Sequence, residues 1–157
     1  LQDNHEKQRC HITYNSALSA VGVTIVKGHH VIAPDTGKRS EKQSDINVAL
    51  HLILDAEDDE IDCAFLLSAD SDQAATAKIF RKRHPDKTLI VATPPNRRTP
   101  EKVLPYVNAH FQMNIHKIEQ ALFPKFVPGK TGNLIRRPNE YDPPEGWVHP
   151  NERQRKK

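Results

Sequence analysis

At 157 residues the chain suits one domain, large enough to hide about two-thirds of the surface its unfolded form exposes. Its hydrophobic fraction of 36% and charged fraction of 27% are polar but within globular range. The absence of an 18-residue apolar stretch or a leader pattern argues against a membrane span, and two cysteines at no metal-like spacing argue against a disulfide framework. A reducing, cytoplasmic location is therefore expected.

In chain order, Glu6 to Ala20 carries a loose apolar stripe (Ile12, Ala17, Leu18) and predicts a helix that Gly22 stops. Val23-Thr24-Ile25-Val26 is β-branched and predicts a strand. His29-His30 falls on an expected exposed turn, Val31-Ile32 on a short strand, and residues 34–40 on a polar loop. Ser44 is the expected N-cap of a helix whose apolar face is Ile46, Ala49, Leu50, Ile53 and Leu54. The acidic run Glu57-Asp58-Asp59-Glu60 ends it as a solvated loop.

Cys63-Ala64-Phe65-Leu66-Leu67 is a continuous apolar run, which predicts a strand buried on both faces with Cys63 as a buried thiol. A helix from Asp72 to about His84 and a strand over Thr88–Ala92 follow. Thr99-Pro100-Glu101 combines a cap with proline at the first helical position, predicting a helix to about Val107. Residues 109–113 suit a short edge strand and 116–122 a last helix. Alternating strands and helices define a doubly wound α/β domain, mostly parallel, with helices on both faces of the sheet.

The expected division is a body over residues 1–123 and a proline-rich basic tail over 124–157, extended and irregular, with Tyr141 and Trp147 packing on the body. From Pro124 onward there are eight basic and four acidic residues, so the tail is +4 and the body −1. A basic tail favours an anionic partner and equally suits a solubilising segment.

The sharpest chemical signal is Ser68-Ala69-Asp70-Ser71-Asp72, at the carboxyl end of the most apolar strand. Ligands bind at that edge of open α/β sheets. Two carboxylates there repel unless a cation lies between them, and Mg²⁺ commonly uses one or two carboxylates with water and phosphate. The bland alternatives are a helix cap for Asp72 and loop-amide bonding for Asp70. Asp-x-Asp also occurs in haloacid-dehalogenase phosphatases, but Gln73-Ala74 stands where those have Thr or Val two residues after the second Asp. Asp45 opens the preceding helix, where a carboxylate suits the positive helix end and also overlooks the same sheet edge. Among basic groups (Lys42, Lys78, Arg81, Arg97, Arg98, Arg136, Arg137), Arg97-Arg98 follows a strand and is placed to grip phosphates. Aromatic residues are only 6%, so base stacking is not conspicuous. His110 and His116 are six apart, not the four of a helical metal pair.

Glu41-Lys42-Gln43-Ser44-Asp45-Ile46-Asn47-Val48-Ala49-Leu50, followed by Asp62-Cys63-Ala64-Phe65-Leu66-Leu67-Ser68-Ala69-Asp70-Ser71-Asp72, resembles the NYN domain pattern of the PIN-like nucleases. That pattern has a Lys-x-x-Asp helix start, an Asp-x-apolar strand and a Ser-Gly-Asp-Ser-Asp strand end. The resemblance spans about Glu6 to Leu122. It implies a PIN-like fold and cleavage of RNA, single-stranded by expectation, with Mg²⁺ or Mn²⁺. Asp45, Asp70 and Asp72 fall on its acidic metal positions, Ser68 on the Ser before the acidic pair, and pairing of two copies is common in the superfamily. There are three departures. The family's first strand, with an acidic residue and an Asn, is expected upstream of Leu1. His51 stands where many relatives carry Asp, and Ala69 replaces the usual Gly. The alternatives are an RNA-binding or scaffold module without catalysis, and a metal-dependent phosphatase or phosphotransferase.

Overall fold

The computed structural model describes residues 2–32, 34–37 and 39–153. Its elements in chain order are α1 (Gln2–Ala20), β1 (His29–Ile32), β2 (Arg39–Lys42), α2 (Ser44–Glu57), β3 (Cys63–Leu67), α3 (Gln73–Arg83), β4 (Thr88–Thr93), β5 (Ala109–Gln112), α4 (Ile115–Gln120), β6 (Phe126–Pro128) and β7 (Leu134–Arg136). They fall into two compact units, one built from Leu1–Ile25 with His116–Lys157 and the other from Val26–Ile115. This division differs from the expected one at residues 123 and 124, because the C-terminal segment folds a hairpin that packs on α1.

The Val26–Ile115 unit is α/β. β3, β4 and β5 form a parallel sheet in that order, and α2 and α3 pack on each other. The register aligns Ala64 with Leu89 and Leu66 with Val91, so these four side chains share one face. Leu52 and Ala56 of α2, Ala77 and Phe80 of α3, and Val103 close over them as the core. Burying side chains of this size contributes about 1.5–3 kcal/mol each, and the entropy of ordering them opposes it. The opposite face carries Cys63, Phe65 and Leu67 of β3 and Phe111 of β5, all exposed. Among the described residues, the expected helical cover on both faces, and burial of β3 on both, is thus seen on one face. Cys63 lies at an odd position of the strand and is exposed, while the buried cysteine is Cys10 of α1.

Several boundaries differ from the sequence expectation for identifiable reasons. Val23–Val26 is not a strand, because propensity alone makes no ladder and these residues pair with no strand among the described residues. The antiparallel hairpin is instead β1–β2, with His29 opposite Lys42, so His29-His30 lies on a strand and remains exposed. Ser44 is the first helical residue rather than the cap. Gln43 precedes it in the left-handed region (φ 76°), turning the chain out of β2. The expected helix over 99–107 reduces to a 3₁₀ turn at Leu104–Tyr106, since Pro105 lacks the amide an α-helix would need there. The edge strand, α3 and β4 fall where expected.

Lys87 anchors the end of this unit's core. It is buried, and its Nζ donates to Asp59 Oδ1 at 2.5 Å and to the Ile61 carbonyl at 2.8 Å. The bond and charge of Lys87 hold the Asp59 carboxyl below its ordinary 3.8. The same bond raises the Lys87 ammonium above its ordinary 10.5, against the effect of burial.

In the other unit, Gly22 (φ 94°) ends α1, and β6 pairs antiparallel with β7. Trp147 Nε1 donates to Glu119 Oε1 at 2.7 Å, and Arg153 donates to the same oxygen. These donors, Arg153 first, hold the Glu119 carboxyl below its usual range. The tail is therefore hydrogen-bonded to α4 rather than irregular throughout. Among the described residues no helix is long and apolar enough to cross a membrane.

Candidate functional site at the carboxyl edge of the sheet

The carboxyl ends of β3 and β4 lie side by side, joined past β3 by the Ser68 amide donating to the Ala92 carbonyl at 3.0 Å. The segments that leave them bound an open cleft of about 800 Å³ lined by Ser68, Asp70 and Ser71 on one side and Pro94, Pro95 and Arg97 on the other. Parallel pairing explains the convergence, since adjacent strands running the same way must release their loops at the same end.

The loop after β3 is held by its own side chains. Ser68 Oγ accepts from the Asp70 amide at 3.0 Å, and Asp70 Oδ1 accepts from the Asp72 amide at 2.9 Å. Both are local turns that Ser and Asp favour. The backbone then enters α3, with Asp72 preceding the helix in helical geometry and making no side-chain cap bond. The loop-amide role expected as the bland alternative for Asp70 is present, whereas the cap role for Asp72 is not. Asp70 uses one carboxylate oxygen in the turn, and both Asp70 and Asp72 are exposed. Two anionic side chains thus stand two residues apart beside the cleft.

The arginine loop is equally fixed. Thr93 Oγ1 and Gln112 Nε2 both donate to the Arg97 carbonyl at 2.9 Å, and the Arg97 amide donates to the Pro94 carbonyl at 3.2 Å. Asn96 takes the left-handed conformation (φ 62°) that closes this turn. Two bonds on one carbonyl and two adjacent prolines present Arg97 from a stiff support. Thr93 and Gln112 went unnoticed in the sequence, where the only signal was a polar residue at the end of each of two neighbouring strands.

The structure brings Ser68, Asp70 and Arg97 to one cleft, with Asp72 tied to Asp70 through its amide. Asp72 and Arg98 are exposed nearby in sequence but do not line it. Asp45 lies exposed in the first turn of α2, Lys42 is exposed at the end of β2, and His51 is exposed on α2. Among the described residues no three His, Cys, Asp or Glu side chains are grouped to hold a metal ion, so the expected convergence of Asp45 on Asp70 and Asp72 is not seen. Ser71 adds a second hydroxyl to the cleft. Gln73, noted in the sequence only for breaking a phosphatase pattern, is buried at the start of α3, and its Oε1 finds no donor among the described residues.

No protein-family model matches the chain, and no curated protein matches it. Among solved structures it is similar to a protein of unknown function from Vibrio parahaemolyticus, at 21% identity and a TM-score of 0.52. The alignment covers 69% of this chain and 61% of that one, so the chain spans less than two-thirds of that protein's length. Likeness at this identity supports an α/β fold and carries no function.

Proposed function

We propose that this chain is the greater part of a PIN-like, NYN-type domain that cleaves phosphodiester bonds of RNA with Mg²⁺ or Mn²⁺. The observation that carries the proposal is the cleft at the carboxyl edge of the sheet, where Ser68 and Asp70 face Arg97 and Asp72 stands beside them. The resemblance of residues 41–72 to the NYN pattern supports the same reading from sequence.

The donor set fits such an ion. Mg²⁺ needs one or two carboxylates and completes its shell with water and phosphate oxygens. Asp70 and Asp72 supply two, and Asp70 has a carboxylate oxygen beyond the one used in its turn. When bound, the ion would acidify a water and stabilise the attacking and leaving oxygens of the phosphodiester. The chain's own residues have separate tasks. Arg97 would hold a phosphate across the cleft, and its pinned carbonyl limits the ordering cost of doing so. Ser68 and Asp70 keep the loop in one conformation, so the carboxylate is placed before substrate arrives. Arg98 and Lys42 would add field rather than contact.

The test is cleavage of labelled single-stranded RNA and, separately, of a small aryl phosphate, with Mg²⁺ or Mn²⁺ and with EDTA. RNA cleavage that EDTA abolishes is expected, with the aryl phosphate untouched. Turnover of the aryl phosphate alone would move the site to the phosphatase class. RNA binding without cleavage by folded protein would make the chain a binding module.

A further inference from the structure

The loop that joins β6 to β7 is built to one shape. The Gly129 amide donates to the Asn133 carbonyl at 2.7 Å, and the Gly132 amide donates to the Gly129 carbonyl at 3.2 Å. Gly132 takes the left-handed region (φ 80°). The Asn133 side chain lies over Gly129, where a Cβ would collide with its Oδ1, so glycine is required there. Thr131 Oγ1 donates to the same oxygen at 2.8 Å. With Oδ1 engaged, the Asn133 amide nitrogen is a donor without a partner among the described residues.

This loop and the second half of α1 wall an open groove of about 580 Å³, lined by Ser16 and Ser19 of α1 and by Lys130, Asn133 and Arg136 of the hairpin. Both walls belong to the unit of Leu1–Ile25 with His116–Lys157. Among the described residues that line the groove there is no carboxylate and no aromatic ring. Lys130 is exposed, and among the described residues it has no partner. Arg136 donates through Nη2 to Asn139 Oδ1 at 2.8 Å, a neutral partner that positions the guanidinium without neutralising it. Glu6 and Glu140 line a neighbouring hollow that Arg136 shares, and among the described residues neither pairs with it. Ser16 spends its proton on the Ile12 carbonyl at 2.9 Å, while the Ser19 hydroxyl has no partner among the described residues.

Two cations, an amide nitrogen and a hydroxyl therefore offer donors to one groove. A ligand with negative charge and several acceptor oxygens satisfies them. An enclosed pocket suits a small phosphate ester, whereas an open groove with its cations on two parts of a hairpin suits a chain that carries its charges in series. No ring is present to stack a base, so such contact is with the backbone and indifferent to sequence.

We infer that the groove between α1 and the β6–β7 hairpin binds the phosphodiester backbone of single-stranded RNA, with Lys130 and Arg136 each taking a phosphate. This inference does not rest on the cleavage reading, since it needs neither the metal nor the cleft at the sheet edge.

The test is fluorescence anisotropy of labelled oligouridylate and oligoadenylate across a salt series, in EDTA so that the RNA stays whole. Lys130→Ala and Arg136→Ala should each flatten the slope of log affinity against log salt by about 0.7, the loss of one phosphate contact, and alike for both sequences. Lys130→Arg should keep the slope. Circular dichroism checks that each variant is folded. In isotopically labelled protein, the amide signals of residues 129–136 should shift on adding oligouridylate. A peptide nucleic acid of matching sequence, whose backbone is uncharged, should leave them in place. An unchanged slope in either alanine variant, or shifts caused equally by the uncharged oligomer, would overturn the inference. Binding that only Arg97→Ala weakens would overturn it and leave the cleavage reading standing. Flattened slopes in a protein that cleaves nothing would do the reverse.

Discussion

Asp70 is asked to do two things that substitution can separate. Its Oδ1 accepts the Asp72 amide at the entrance to α3, and its charge is proposed to hold the metal. Asp70→Asn keeps an oxygen at Oδ1 and removes the charge, whereas Asp70→Ala removes both. Losing a bond of this kind at a helix start costs about 1 kcal/mol. In a chain of this length that corresponds to a drop of about 2–4 °C in melting temperature. The Asn variant should therefore be close to wild type in stability and the Ala variant measurably weaker. Both should lose RNA cleavage by on the order of 100-fold or more, since even the outer partners of metal ligands are worth about 10–100-fold. Hydrogen exchange of the α3 amides reads the helix directly. An Asn variant as destabilised as Ala would refute the turn argument, and one that cleaves at the wild-type rate would remove Asp70 from the chemistry.

Other expectations follow from the same geometry. Arg97→Ala should weaken binding of labelled single-stranded RNA by anisotropy and flatten the log affinity against log salt by about 0.7, the loss of one phosphate contact; Arg98→Ala, outside the cleft lining, should do less. Phe80 is fully buried against His84 (ring centroids 5.5 Å), and Phe80→Ala should cost about 3–5 kcal/mol in urea unfolding followed by circular dichroism. The Asp59 carboxyl is lowered in the folded chain, so its stabilising effect is complete above 3.8 and is lost as pH falls through the lower folded value. Asp59→Asn should therefore flatten the acid limb of the urea midpoint below that pH. The Lys87 ammonium is raised, so its effect is complete below 10.5 and is lost above it; the Asn variant should also lose stability less steeply there.

The elements legible in the sequence were those whose local pattern and tertiary role agree. β3, α3, β4 and β5 carry apolar runs or helical spacing between clear turns, and each makes a neighbour that the next requires. The pattern misled where a local preference lacked a partner. Val23–Val26 has strand propensity and no ladder, and Thr99-Pro100-Glu101 starts a helix that Pro105 prevents from continuing. Cys63-Ala64-Phe65-Leu66-Leu67 is apolar at every position, so composition could not reveal that alternate residues are exposed. In the site, Ser68, Asp70 and Arg97 were legible because strand ends in a parallel sheet point their loops the same way. The bonds from Thr93 and Gln112 to Arg97 were not, because they depend on the register of β4 against β5. Asp45 was placed by helix order alone, and order along the chain does not fix how far a helix start stands from a strand end.

Metal-dependent cleavage at the sheet edge requires first that the edge bind the ion. Titrating Mn²⁺ into isotopically labelled protein and following amide signals would locate it by paramagnetic broadening. The amides of residues 68–73 should broaden first, and Asp70→Asn should abolish this while leaving the α3 signals in place. Broadening centred elsewhere, or none in a folded protein that still cleaves RNA, would contradict it.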